Sequence, residues 1–185
     1  MQYPTYDDVL QARERLRDVS ASHWYHEDLG SWQWWFLLLV SIVPWIVWRR
    51  YRDRNRSYEI LSYGFLWASL ATSFDVIGGE LLLWGYPDKL LPMVPPMFPA
   101  DLTVIPVLYM WMYKWASTAR KYFIGTLALA FLFSFIIEPV FIFFHMFFLQ
   151  HWKHIYSFFG FIILSYVVLW IHRKAGGQVS GSFHE

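Results

Sequence analysis

Five long apolar stretches, separated by short polar segments, occupy most of the chain. They cover residues 32–48, 60–86, a stretch that follows the proline-rich residues 91–96 and ends near 113, 122–149 and 155–171. A membrane-spanning helix needs about 20 mostly apolar residues, and each stretch approaches or exceeds that length. The pattern therefore predicts an all-α, polytopic membrane protein with a bundle of five transmembrane helices. Pro99 and Pro106 shorten the regular helix that the third span can form.

The residues before the first span have an amphipathic pattern instead. Thr5 and Asp8 form a capping-box pattern, and the apolar residues from Tyr6 to Val19 fall near one helical face. This predicts a short amphipathic helix that lies on the membrane surface or against the bundle. The expected organisation is an N-terminal helix and interfacial segment at 1–30, a five-span membrane domain at 31–172 and a flexible tail at 173–185.

Composition supports the membrane assignment and excludes several other classes. Of the 185 residues, 57% are hydrophobic and 22% aromatic, whereas only 16% are charged. A soluble domain carries roughly 25% charged residues and has too little interior for so many large apolar side chains. Intrinsic disorder and nucleic-acid binding are excluded on these grounds. The chain has no cysteine, which excludes disulfides, thiol catalysis and cysteine-ligated zinc.

Basic residues are distributed unevenly between the predicted loops. Ten Lys and Arg flank the spans on one side, five of them in residues 49–56, whereas the loops on the other side contain only Lys89 and Lys153. The positive-inside rule assigns the richer side to the cytoplasm. The sequence thus predicts a multi-pass protein of a cytoplasmic membrane, with its N-terminus outside and its C-terminus in the cytoplasm. Membrane lipids are then its expected partners, and the oligomeric state stays open.

Most tryptophans lie where predicted spans end. Ten of the twelve are at or near such an end, and Trp24 and Trp67 are the exceptions. Indole rings favour the headgroup layer of a bilayer, where one edge stays hydrated. The pattern favours an interfacial belt over a ligand cage.

Ionisable side chains inside the predicted spans are the main indication of function. Asp75 and Glu80 lie in the later half of the second span, Asp101 near the start of the third, Glu138 just past the middle of the fourth and His145 near its end. Because successive spans cross in opposite directions, all five fall in the same half of the bilayer. Such groups are costly in a membrane, and no Lys or Arg within a span neutralises them. They form the candidate ligand- or ion-binding site.

Helical spacing places Glu138 at the centre of this site. Ser134 and His145 share its face, and Pro139 predicts a kink beside it. A polar stripe on the second span is expected to face the same cavity. The stripe consists of Ser62, Ser69, Ser73 and Glu80. Structural alternatives remain open: Asp101 could complement a helix N-terminus, and Asp75 could be a protonated acid that bonds within the bundle.

A second cluster lies before the first span. His23, His26 and Glu27 have the helical spacing of half a metal site, but they lack the HExxH order of the established zinc motif. An interfacial aromatic patch is the alternative interpretation. The sequence assigns neither a metal nor a cofactor.

Four motifs carry a resemblance to a known family. They are FDVIGGELLLWGYPDKLLP at 74–92, PADLTVIPVLYM at 99–110, FSFIIEPVF at 133–141 and HWKHIYS at 151–157. In these motifs the chain resembles a family of small multi-spanning membrane proteins of spore-forming Gram-positive bacteria. The resemblance extends over residues 35–170. It implies an integral membrane protein of four to six spans and no particular activity.

A second, smaller resemblance concerns the order of a few residues. Asp75, then Trp84 and Tyr86, then Asp101 two residues after Pro99, are similar in layout to the small membrane-type lycopene cyclases. Those enzymes have a second acid in the last motif, where this chain has Leu102. The departure places acid-catalysed cyclisation in doubt.

Three classes of function are compatible with these observations. In the first, the carboxylate and histidine cluster binds or transports a proton, a cation or a small cationic amphiphile. In the second, a buried acid such as Glu138 or Asp101 is the general acid of a membrane enzyme that acts on a lipid or isoprenoid. In the third, the protein is a non-catalytic subunit of a membrane assembly.

Overall fold

The computed structural model describes residues 3–92 and 97–176, and these are mostly helical. The helices are α1 (Tyr6–His23), α2 (Trp32–Tyr51), α3 (Ser57–Glu80), α4 (Ile105–Trp115), α5 (Ala119–Leu132), α6 (Glu138–Phe143) and α7 (His154–Lys174). π-helical turns, whose backbone bonds span five residues instead of four, occupy Trp24–Asp28, Ala100–Val104 and Phe133–Ile137. The short strands are β1 (Trp84–Gly85) and β2 (Phe148–Leu149). Most of the predicted tail, from 177 on, lies outside the described residues.

Three helices are long and apolar enough to cross a membrane. They are Ser57–Glu80, Ala119–Phe143 (α5 continued through the π-helical turn into α6) and His154–Lys174. A fourth is added if Tyr6–Asp28 and Trp32–Tyr51, which meet at an angle of 97°, count as one broken span. The predicted helical membrane protein is therefore supported by three or four such helices.

Two helices end earlier than the apolar pattern predicts. The predicted second span at 60–86 ends as a helix at Glu80, and the predicted fourth span at 122–149 ends at Phe143. In each case the apolar residues that follow leave the helix and form one of the two short strands. Hydropathy alone does not show this change, because the strand residues are as apolar as the helices before them.

Both of these helices end in the same backbone motif. At the end of α6 the Met146 N–H donates to the Phe141 carbonyl at 2.9 Å, and His145 between them has a φ of 58°. The end of α3 repeats the arrangement around Leu82, whose φ is 54°. This is the Schellman type of helix end, in which a left-handed residue satisfies the last carbonyls. His145 thus has a local role in reversing the chain.

The two strands join the segments that follow α3 and α6. They are antiparallel, with Trp84 opposite Leu149 and Gly85 opposite Phe148. Two N–H groups beyond β2 also donate to the carbonyl of Leu83, at 2.9 and 3.1 Å. We call the end of the bundle that carries these strands the hairpin end, and the opposite end, which carries residues 49–56, the arginine end.

The core lies along one face of α3. Every fourth residue from Tyr63 to Asp75 is buried on this face, where α3 packs against α4 and α7. The Trp67 ring stacks on Tyr109 of α4 with its centroid 3.7 Å away. The i, i+4 row is one face of an α-helix, and it sets which side chains of α3 point into the bundle.

The N-terminal segment is attached to the hairpin end. α1 has no buried residue, but the Trp24 indole N–H, in the turn after it, donates to the Lys89 and Leu90 carbonyls at 3.1 and 3.2 Å. Trp34 donates to the Leu90 carbonyl at 3.1 Å, and the buried Asp28 carboxylate accepts the Lys89 N–H at 3.0 Å. These bonds fix the connection that leads from β1 to α4.

The left-handed conformation of His145 generates a stability prediction. Replacing His145 by glycine should raise the free energy of unfolding by about 0.5–1 kcal/mol, because glycine adopts positive φ without steric cost. Thermal unfolding in detergent measures the change. His151→Gly is the control, since His151 does not have positive φ and should gain nothing. A loss of stability in His145→Gly would mean that the imidazole makes contacts of its own.

Candidate functional site

The two aspartates of the predicted site form a buried pair at the hairpin end. Asp75 lies near the C-terminal end of α3, and Asp101 lies in the π-helical turn that leads into α4. They are 6% and 5% exposed, and their carboxyl groups lie close enough to act on each other. The Met97 N–H also donates to Asp75 Oδ2 at 3.3 Å, while the Asp101 N–H bonds the Met97 carbonyl at 3.1 Å. The backbone around Met97 therefore holds both acids.

Two aromatic side chains complete the surroundings of Asp75. The Trp84 indole N–H donates to Asp75 Oδ1 at 2.8 Å, and the Tyr86 hydroxyl donates to the same oxygen at 2.7 Å. Their side chains are two residues apart and so fall on one side of β1. The Trp84 ring packs directly on Gly78 of α3, where a β-carbon would overlap it. The hairpin thus carries both donors to the carboxyl pair.

The two acids differ in their hydrogen bonding. Asp75 accepts three bonds from neutral donors, whereas Asp101 Oδ2 is buried and receives none from the described residues. The surroundings therefore solvate Asp75 far better than Asp101. No Lys, Arg or His among the described residues bonds to either acid.

Glu138 lies in a second group at the same end. Its Oε2 is 2.7 Å from Nδ1 of His154, the first residue of α7, and Ser157 of the same helix lies near the carboxyl. Ser157 in turn accepts the Trp152 indole N–H at 3.0 Å. The π-helical turn Phe133–Ile137 directly precedes Glu138, beside the proline where the sequence predicts a kink. Glu138 is therefore paired with a base, unlike Asp75 and Asp101.

Aromatic rings connect the two groups. Trp84, which bonds Asp75, meets Trp152 edge to face with centroids 5.1 Å apart. Tyr86 stacks on Phe147, just before β2, at 5.1 Å. The pairing of β1 with β2 produces both contacts. The hairpin end thus contains one polar site with two differently charged halves.

Glu80 and His145 do not join this site. Both side chains are exposed, and neither forms a hydrogen bond or ion pair with another described side chain. The predicted polar stripe on α3 also points outward: its serines are exposed, and Ser62 and Ser73 bond carbonyls of their own helix at 2.8 and 2.7 Å. The opposite face of α3, with Tyr63 and Asp75, points inward. The serines do not mark the inner side, because Ser62 and Ser73 bond carbonyls of their own helix. Ser62 also lies 3.4 Å from Nδ1 of His172 in α7.

Sequence reasoning assigned no site role to His154 and Ser157. His154 lies on the correct side of the bilayer in the predicted topology, but its pairing with Glu138 depends on where α7 begins relative to α6. Trp84 and Trp152 were assigned to an interfacial belt, although both donate hydrogen bonds inside the protein. The sequence offered one signal for these bonds, because both tryptophans lie close along the chain to acidic or hydroxyl-bearing residues.

The histidines near the first span point to separate partners. His23 Nε2 lies 3.5 Å from Asp28 Oδ1, whereas His26 Nδ1 lies 2.8 Å from the Ser22 carbonyl. Within residues 3–92 and 97–176 no group of three His, Asp or Glu could hold a metal ion. Nearby, partial burial raises the pKa of Asp88, and the Asp28 charge raises it further.

Comparisons with known protein families, with curated proteins and with solved structures find no match to this chain.

Removing one donor tests the environment of Asp75. Tyr86→Phe deletes a hydrogen bond to a buried carboxylate, so the free energy of unfolding should fall by about 1–3 kcal/mol. Unfolding in detergent measures the loss. Tyr25→Phe removes a hydroxyl from a tyrosine that is 66% exposed, and it should leave stability unchanged. Equal stability of the two variants would contradict a Tyr86 bond to a charged oxygen.

Proposed function

We propose that this protein is a multi-pass membrane protein that binds and releases a proton at the Asp75–Asp101 pair. The observation that supports the proposal is a pair of buried, neighbouring carboxyl groups whose hydrogen-bond donors among the described residues are all neutral. Such a pair holds one proton and one negative charge, and it resists losing or gaining a second charge. A change in the hydrogen bonds of Asp75 would therefore move the proton.

A proton fits this site better than a larger cation. Calcium takes six to eight oxygen ligands and magnesium demands an octahedron, whereas Asp75 already accepts three hydrogen bonds. Two open surface depressions of about 400 Å³ lie along α7 beside Tyr166 and Trp170, away from the carboxyl pair. An organic cation would need a cavity at the pair itself. Proton binding needs only the two carboxyl groups.

Glu138 gives the proton a second position in the proposed mechanism. Its contact with His154 is an acid–base pair, so a proton taken from the neighbouring aspartates can be held between the two side chains. Glu138 is close enough to Tyr86 for its charge to act on that hydroxyl. Tyr86 therefore lies between the two halves, as a donor to Asp75 and a neighbour of Glu138.

A membrane enzyme is the second candidate function, supported by one observation. Asp75, Trp84, Tyr86 and Asp101, the residues of the cyclase-like layout, are in mutual contact in the fold. Asp101 would then donate its proton to an apolar lipid or isoprenoid, and the aromatic rings would stabilise positive charge on it. Native mass spectrometry distinguishes the candidates, because an isoprenoid retained by the purified protein would favour the enzyme.

The proton on the pair should be visible by infrared spectroscopy. The parent protein should show a protonated-carboxyl C=O band near neutral pH, and Asp101→Asn should lose it, because asparagine donates to Asp75 without carrying an acid proton. Glu80→Gln is the matched control, since Glu80 is exposed, and it should keep the band. If Asp101→Asn retains the whole band, the proton belongs elsewhere and the proposal fails.

We further propose five spans with the N-terminus outside. The two additions to the three long helices are α2 and the helical stretch 100–115, and the ten basic residues then share one side. Lys89, Lys153 and the three Arg of the acidic N-terminal tail lie on the other side. Green fluorescent protein fused to the C-terminus should fluoresce in a bacterial host, and an alkaline phosphatase fusion at the same point should be inactive. The reverse result would contradict this orientation.

A further inference from the structure

Polar side chains that are buried or half-buried recur along the bundle from the carboxyl pair to the arginine end. They recur at multiples of four residues on three helical stretches: Asp75, Trp67, Tyr63 and Glu59; Asp101, Tyr109 and Tyr113; and Glu138, Ser134, Thr126 and Tyr122. Four residues advance a helix by about 6 Å, so Asp75 and Glu59 are about 24 Å apart along α3. That distance is most of the thickness of a bilayer core. The rows face one another, because α3 packs on α4 and α4 packs on α5.

A continuous hydrogen-bonded network occupies the middle of these rows. The hydroxyls of Tyr63 and Tyr122 are 2.8 Å apart, and Tyr122 also bonds the Ser165 hydroxyl at 2.8 Å. The Thr126 hydroxyl lies 3.0 Å from that of Ser165, and Trp67 donates to Tyr63 at 3.1 Å. All of these side chains are buried. Each hydroxyl can accept a proton on a lone pair and release its own.

Ionisable groups lie where the network reaches the arginine end. Glu59 accepts two bonds from Arg56, at 2.8 and 3.0 Å, and one from the Tyr113 hydroxyl at 2.8 Å. Tyr63 stacks on Tyr113 with centroids 4.3 Å apart and meets His172 edge to face at 5.6 Å. His172 is 2% exposed, and its Nε2 has no partner among the described residues. An acid and an imidazole therefore adjoin the first tyrosine of the network.

Two unpaired hydroxyls lie between the network and the carboxyls. Tyr109 and Ser134 are both fully buried, and neither hydroxyl has a partner among the described residues. Leaving a buried hydroxyl unpaired costs about 1–3 kcal/mol, and ordered water is the usual remedy in proteins. Their rows place them between Thr126 on one side and Asp101 and Glu138 on the other. A proton path across this stretch would run through water at these two hydroxyls.

We propose that these side chains form a proton path between the carboxyl pair and the Glu59–His172 group at the arginine end. The inference rests on the proposed proton binding at Asp75 and Asp101 and adds the direction from which that proton comes. At each step one O–H or N–H bond forms as the next one breaks, so no group gains or loses a net proton. Tyr122 is central, because it bonds both Tyr63 and Ser165.

Deuterium exchange of the carboxyl band tests the path. After a change from H₂O to D₂O, the band of the parent protein should shift as the Asp101 proton is replaced, and Tyr122→Phe should slow this shift at least tenfold without removing the band. Tyr166→Phe is the matched control. Tyr166 packs edge to face on Tyr122 at 5.8 Å but is 43% exposed, so this variant should exchange at the parent rate.

A second variant shows whether slower exchange in Tyr122→Phe reflects a folding defect. Ser134→Ala removes a buried hydroxyl that bonds no described residue, so the protein should fold, and exchange should again slow at least tenfold. Parent-like exchange in both Tyr122→Phe and Ser134→Ala would overturn the path and leave the carboxyl proton in place. A parent protein without a carboxyl band that depends on Asp101 would instead overturn the proposed function.

Discussion

The burial of two neighbouring carboxyl groups, Asp75 and Asp101, imposes the constraint that the hairpin end satisfies. An ionisable group within a membrane costs about 2.5–3.5 kcal/mol on insertion scales, and no basic side chain among the described residues bonds to either acid. The bonds from Trp84, Tyr86 and the Met97 backbone solvate Asp75 instead. These donors come from β1 and the connection after it. The N-terminal segment holds that connection in place through the Trp24 indole and the Asp28 carboxylate. The hairpin and the N-terminal segment together therefore keep a buried carboxyl group hydrogen-bonded.

The two halves of the site divide the chemistry between them. The donors to Asp75 are all neutral, and no His, Lys or Arg among the described residues bonds to Asp75 or Asp101. Glu138 has such a base in His154, at 2.7 Å. Acids placed in such different environments commonly take different roles in one mechanism. The edge-to-face contact of Trp84 with Trp152 couples the halves mechanically, because each indole bonds into one of them.

Hydropathy and charge depth predict part of this arrangement. The long helices were predictable, and so was the presence of Asp75, Asp101 and Glu138 at one end, because apolar length and span direction determine both. Periodicity gave the wrong inner face for α3: the polar stripe is outside, since short hydroxyls bond their own helix while large aromatic rings fill the core. His145 was assigned to the site because α6 was expected to continue past Phe143. Contacts between segments that are distant along the chain, such as Glu138 with His154, cannot be predicted from the local pattern of apolar and polar residues.

Tryptophan shows why composition alone misjudges this protein. Six indoles donate hydrogen bonds to protein atoms: Trp24, Trp34, Trp45, Trp67, Trp84 and Trp152. Four others are more than half exposed and suit the headgroup layer: Trp32, Trp35, Trp115 and Trp170. The bonded set includes Trp24 and Trp34, which attach the N-terminal segment to the hairpin end. It also includes Trp84 and Trp152, each of which bonds within one half of the site. An indole joins a large apolar surface to a single neutral donor, so it can seal a buried carboxylate from water and satisfy it without adding a charge.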